Sequence, residues 1–135
     1  MTNAEGRGHN APCSNRDFDF FYQGLENEQL LVQRCTGCGT LRSLPSPGCE
    51  ACASLEWEPV ELAGDGEIYS YVVHHHPPLP GFASPHPIAL VIMGEGVRVL
   101  GAMDGTDPSD VKIGGRVKAE FLRRDTVAAF RFRAL

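Results

Sequence analysis

Cys35-Thr-Gly-Cys38 and Cys49-Glu-Ala-Cys52, two CxxC pairs separated by ten residues, decide how the rest of the chain is read. Each pair supplies two thiolates from one tight turn, and two such turns close a tetrahedral site around an ion. The separation is shorter than the roughly 15–20 residues of many four-cysteine sites, as a small zinc ribbon with a short hairpin requires. Gly39, directly after Cys38, lets the backbone turn and aim amides at the sulfurs, whereas Ala53 at the matching place is less permissive. Structural zinc on Cys35, Cys38, Cys49 and Cys52 is the expected cofactor. Two disulfides, a redox dithiol or iron in a rubredoxin-like site are the alternatives. The fifth cysteine, Cys13, stands apart in a polar segment and reads as a free surface thiol.

N-terminal to the knuckles, residues 1–15 read as a flexible tail. Ser14 or Asn15 can cap a helix there, with Asp17 and Asp19 favouring its positive end. Phe18, Phe21, Tyr22 and Leu25 recur at helical spacing and make one apolar face. A helix of about three turns is marginal alone, so that face must pack on this chain's core or on a partner. Leu30-Leu31-Val32 leads into the first knuckle as a strand, and residues 41–44 return from it.

C-terminal to the knuckles the chain reads as β throughout. Residues 55–63 alternate apolar and acidic side chains, and Pro59 places that strand at an edge or bend. Further strands are expected over 67–75, 87–93, 97–103, 116–124 and 127–133, with Gly94-Glu95-Gly96 and Asp125-Thr126 as hairpin turns. Short strands of this kind with one long loop suggest a small closed barrel, and five of them in Greek-key order make an OB-fold. The fold class is therefore mainly β: an N-terminal helix and zinc ribbon over 16–54, then a five-stranded barrel over 55–135.

The 135 residues, 42% hydrophobic and 21% charged, suit one folded domain or one domain with an appendage, and rule out wholesale disorder. The longest strongly apolar stretch, 88–93, falls far short of the roughly 20 residues that span a bilayer. The first 20 residues lack a basic-then-apolar layout, so a cytoplasmic protein without membrane contact is expected. Net charge is −5, but unevenly placed: residues 1–97 carry 4 basic and 12 acidic side chains, and 98–135 carry 8 and 5. Acidity argues against nucleic acid as a partner, which a basic domain or stripe would announce. A local basic face from Arg116, Lys118, Arg123, Arg124, Arg131 and Arg133 is the exception to test.

The order of these elements carries a resemblance. The amphipathic helix, the CxxC(x10)CxxC ribbon, the run Gly66-Glu67-Ile68-Tyr69-Ser70-Tyr71-Val72-Val73-His74 with its Pro-rich loop, and the segment Asp107-Pro108…Val111-Lys112-Ile113-Gly114-Gly115 follow one another over residues 16–133. Together they resemble the zinc-ribbon/OB-fold family once filed as a domain of unknown function and found beside thiolases and thiolase-like lipid-transfer proteins. The resemblance implies an accessory subunit. Its hetero-oligomeric partner, a thiolase-like lipid-transfer or aldolase protein, carries the chemistry on an acyl-CoA at a shared site. Retro-aldol cleavage of a steroid-type side-chain acyl-CoA is the favoured reaction, with thiolytic or condensing chemistry next. A nucleic-acid-binding OB-fold is the alternative of another class, although Tyr69, Tyr71, Phe121, Phe130 and Phe132 fall mostly at alternate, core-like positions.

Local function is expected in the loop His74-His75-His76-Pro77-Pro78-Leu79-Pro80-Gly81-Phe82. Adjacent histidines on a strand end point to alternate sides, so the three cannot line one site, and no nucleophile in a recognisable setting accompanies them. The prolines fix φ and lower the entropy cost of presenting Leu79 and Phe82. Candidate contacts to the partner or acyl-CoA are His74, His76, Leu79 and Phe82, with Arg116 and Arg124 meeting CoA phosphates. The plainer readings are that Phe82 caps the barrel mouth and that the arginines form a solvated strand face. No P-loop, dinucleotide fingerprint, HExxH or GxSxG is present. Asp104, Asp107 and Asp110 read as a turn with a capping aspartate.

Overall fold

A computed structural model describes residues 16–82 and 84–135. The expected tail, Cys13 and the Ser14 or Asn15 cap lie outside the described residues. A 3-10 turn at Arg16–Phe18 runs into α1 (Asp19–Glu26). Eight residues are too few to be helical alone, and tertiary contact holds them. Leu25 is buried, the Phe21 ring meets Phe130 edge-on at 6.2 Å, and Phe20 packs on Trp57 at 4.8 Å. The apolar face thus docks on the chain's own core.

β1 (Leu30–Cys35), β2 (Leu41–Arg42) and β3 (Trp57–Leu62) form an antiparallel sheet in the order β2-β1-β3. β3 zips along the whole of β1, from Leu30 opposite Leu62 to Cys35 opposite Trp57. Pro59 lies on the sheet's edge strand, where a missing N–H costs no ladder bond.

The second sheet comprises β4 (Asp65–His74), β5 (His86–Met93), β6 (Arg98–Ala102), β7 (Arg116–Arg124) and β8 (Val127–Ala134), in the order β6-β5-β4-β7-β8. It curls until β6 approaches β8, giving a nearly closed five-strand barrel. Closure depends on Gly101: a Cβ there would stand 2.7 Å from two atoms of the Phe132 ring. Ala89, Val91 and Met93 of β5 point inward with Val99, Val117 and Phe132, and Leu30, Val32 and Leu62 of the first sheet join the same core. Phe132 is buried and Phe121 and Phe130 pack against the core, as alternation predicts. Tyr69 and Tyr71 depart from it and are exposed. The ladder between β4 and β5 shifts register between Ile68 and Ser70, so the alternation read across Tyr69 does not continue through it.

Candidate functional site

The two knuckles fold as near copies. The Cys35 N–H bonds to the Thr40 carbonyl and the Gly39 N–H to the Cys35 carbonyl; Cys49 and Ala53 repeat both bonds with Ser54 and Cys49. The residue after each second cysteine takes a left-handed conformation, φ +83° at Gly39 and +64° at Ala53. Ala53 therefore adopts the conformation it suits less well, because the knuckle's hydrogen bonds require it.

All four Sγ atoms lie within 4.8 Å of one another, with Cys35 to Cys52 at 3.5 Å and Cys38 to Cys49 at 3.6 Å. A tetrahedron with zinc–sulfur bonds of about 2.3 Å has edges of roughly 3.8 Å, so the cluster fits zinc with little movement. Backbone N–H groups, those of Cys38 and Gly37 among them, hold the Cys35 thiol below its usual range, and those of Cys52 and Ala51 do the same for Cys49. The Thr40 hydroxyl and amide lower Cys38. The Ser54 amide also favours the Cys52 thiolate, but the crowding sulfurs of Cys35 and Cys38 outweigh it and push Cys52 up to about 12. A cation removes that repulsion. Zinc bound here is structural, cross-linking the two knuckles through four thiolates and leaving no open position for substrate.

The proline-rich loop leaves β4 at His74 and returns at His86, and these two residues are partners in the β4–β5 ladder. The His74 Nε2 lies 2.6 Å from the Pro77 carbonyl oxygen, and the Ser84 hydroxyl donates to the His75 carbonyl at 2.8 Å. His75 and His76 are exposed, while His86 is buried. Phe82 stacks on the His86 imidazole at 4.7 Å and 21°. Over the Phe82 ring, at 4.1 Å, sits the Arg124 guanidinium. Leu79 stands exposed at the tip.

Arg124 is not a free cation. Its two terminal nitrogens donate to the Asp104 carboxylate at 2.9 and 2.7 Å, and the two side chains are 9% and 8% exposed. Arg131 adds a second guanidinium, 3.4 Å from Asp104 and 2.9 Å from Glu120. Burial raises the Asp104 carboxyl, but the hydrogen bonds and charge of Arg124 prevail and hold it below the usual range. Arg123 pairs with Glu26 at 2.7 Å and Lys118 lies 4.0 Å from Asp65, so carboxylates neutralise much of the expected basic face. Arg116 is exposed at the edge of a separate cleft with Tyr69 and Ile113. The six candidate contact residues thus fall in different places: His74, Phe82 and Arg124 gather around the Phe82 and His86 rings, Leu79 and His76 are exposed on the loop, and Arg116 is elsewhere.

Sequence reasoning missed Asp104, which it grouped with its neighbours as a turn. Asp107 does cap the 3-10 turn Pro108–Asp110, accepting from the Ser109 N–H at 2.9 Å, but Asp104 turns to Arg124. A second feature also escaped it, an apolar groove of about 440 Å³ where helix, ribbon and barrel meet. Phe18, Phe21, Leu44, Leu90, Leu100 and Phe130 line it, with Arg98 at its rim. Among the described residues no helix is long and apolar enough to cross a membrane.

A four-cysteine ribbon sharing its core with a nearly closed five-strand barrel defines a zinc-ribbon/OB-fold protein. The family model "ChsH2, rubredoxin-like zinc ribbon domain" matches residues 23–58, and "ChsH2, C-terminal OB-fold domain" matches 59–122. The chain belongs to this ChsH2-type DUF35 family. It superposes on a chain of the solved "Ltp2-ChsH2(DUF35) aldolase" with a TM-score of 0.85 and 40% identity, covering 92% of this chain and 98% of that one. It is 42% identical over 123 residues, 89% of its length, to the "Probable enoyl-CoA hydratase alpha subunit" of Thermomonospora curvata. Over 111 residues, 82% of its length, it is 41% identical to the "3-oxo-4,17-pregnadiene-20-carboxyl-CoA hydratase alpha subunit" of Mycobacterium tuberculosis. The chain spans only 39% and 35% of those two relatives.

Proposed function

We propose that this chain is an accessory subunit of a thiolase-like acyl-CoA enzyme. It serves the retro-aldol cleavage of a steroid-type side-chain acyl-CoA by stabilising the partner and shaping the acyl-CoA site. One observation carries the reading: the likeness to the aldolase's DUF35 chain runs over nearly all of both chains. The steroid-type substrate is supported by the pregnadiene-carboxyl-CoA relative.

In the reaction the β-hydroxyl of a hydroxyacyl-CoA loses its proton and becomes a carbonyl. The Cα–Cβ bond breaks, and Cα takes up a proton to leave a shortened acyl-CoA. The partner supplies the acid–base groups. This chain contributes a rigid zinc-stapled scaffold, the loop tip with Leu79 and His76, and Arg116 as a cation for the CoA phosphates. The relatives named as hydratase subunits make hydration of an enoyl-CoA the second reading.

Co-expression with a thiolase-like lipid-transfer protein, followed by assay on a β-hydroxyacyl-CoA bearing a steroid ring, tests the choice. The expected result is a co-purifying complex that releases a ring ketone and a shortened acyl-CoA, with neither protein active alone. Activity of the isolated chain, or a complex that only hydrates enoyl-CoA, overturns it.

A further inference from the structure

We propose that Asp104 and Arg124 are positioning residues, a buried clamp that sets the pose of loop residues 75–82 through the ring of Phe82. The inference rests on reading that loop as the partner contact, and it reassigns Arg124 from phosphate ligand to anchor.

The loop is held at both ends. At its start the His74 imidazole meets the Pro77 carbonyl; at its finish Phe82 is gripped between the His86 ring at 4.7 Å and the Arg124 guanidinium at 4.1 Å. A guanidinium is planar, and Arg124 uses that plane twice. Its edge forks onto Asp104 through two hydrogen bonds while its central carbon sits over the Phe82 ring at 4.1 Å. Asp104 fixes the plane's tilt, and Arg131, tied to both Asp104 and Glu120, fixes Asp104 in turn. Two cations and two anions therefore balance, so the cluster has no net charge to offer a phosphate. Pro77, Pro78, Pro80 and Pro85 set the backbone φ within the loop. The clamp removes the freedom that prolines leave, the pivoting of the whole loop about its neck. Preorganisation of this kind strengthens association without adding a contact.

Arg124→Lys separates the two roles, because lysine keeps the positive charge and loses both the fork and the face. Hydrogen exchange on the isolated chain reads the pose directly, from the amides of Leu79, Gly81, Phe82, Ser84 and His86. Arg124→Lys and Asp104→Asn should each speed loop exchange about tenfold while exchange in β7 and β8 and the zinc content stay as in the wild type. Should either variant fail to fold, Phe82→Leu serves, since it keeps apolar bulk, removes the stacking ring and leaves the ion pairs intact. Combining Phe82→Ala with Arg124→Lys should speed exchange by less than the product of the two single effects, because both remove the Arg124–Phe82 contact. The dissociation constant for the thiolase-like partner should rise about tenfold in the same variants.

Unchanged loop exchange in Arg124→Lys and Phe82→Leu overturns the clamp, as does multiplication of the two effects in the double variant. A loosened loop with unaltered partner affinity overturns the positioning role. Failure of the wild-type chain to bind any such partner overturns the accessory reading instead, and loop exchange then judges the clamp by itself.

Discussion

Gly101→Ala is the sharpest test of how the barrel closes. The added Cβ would stand 2.7 Å from Cδ2 and Cε2 of Phe132 and 2.9 Å from Cε2 of Phe130. Carbon atoms in ordinary contact are about 3.5–4.0 Å apart, so both rings must retreat by roughly 1 Å. Phe132 is fully buried and has Phe130 edge-on at 5.5 Å, leaving it nowhere to go without moving the β6–β8 seam. Overpacking a dense core costs about 1–3 kcal/mol, and a clash with two ring systems belongs near 2.5. For a domain of this size that is a melting-point drop of roughly 9 °C. Urea unfolding of both proteins with saturating zinc, followed by circular dichroism, should show a lower midpoint at an unchanged slope. Gly48→Ala is the control: its Cβ would meet Leu55 at an ordinary 3.6 Å, and it should move stability by less than about 0.5 kcal/mol. A Gly101→Ala protein as stable as the control would refute the packing of β6 against β8.

Cys35→Ser should abolish stoichiometric zinc binding and lower the melting temperature, because the ion's binding energy is folding energy. Elemental analysis beside a thermal melt checks this, and unchanged zinc would remove Cys35 from the ligand set. Acid titration tests Asp104. Its folded carboxyl sits below the usual range, since the Arg124 contacts outweigh burial. Its stabilisation is therefore complete above the unfolded value, about 3.9, and is lost as pH falls through the lower folded value. Asp104→Asn should flatten that part of the stability–pH curve, and a curve parallel to wild type would contradict the pairing. Phe82→Ala should weaken partner assembly by about tenfold or more while the barrel stays folded. Isothermal titration against the partner reads it, and unaltered affinity would leave Phe82 as a cap on the barrel end.

The zinc site was legible because its information is local. Two CxxC pairs carry their own turn geometry, and Gly39 signals it, though Ala53 shows that hydrogen bonds can impose the same φ on a residue that gives no signal. Strand alternation likewise gave the five barrel strands within a residue or two of their places. The Tyr69 register shift was not legible, since a bulge is one extra residue in a pattern that otherwise continues. Nor was the role of Arg124. As sequence it is one of several arginines in a basic stretch; its partner Asp104 lies 20 residues away across a turn, and Phe82 further still. Only the curl of the sheet brings them together. Phe20 against Trp57 escaped for the same reason.

A pull-down on this chain from its native host, with intact mass spectrometry of whatever co-elutes, tests the central claim most directly. A stoichiometric thiolase-like subunit, retained through the purification, is the predicted result. Recovery of the chain alone, or with nucleic acid, would contradict the accessory role and leave only a zinc-ribbon OB-fold.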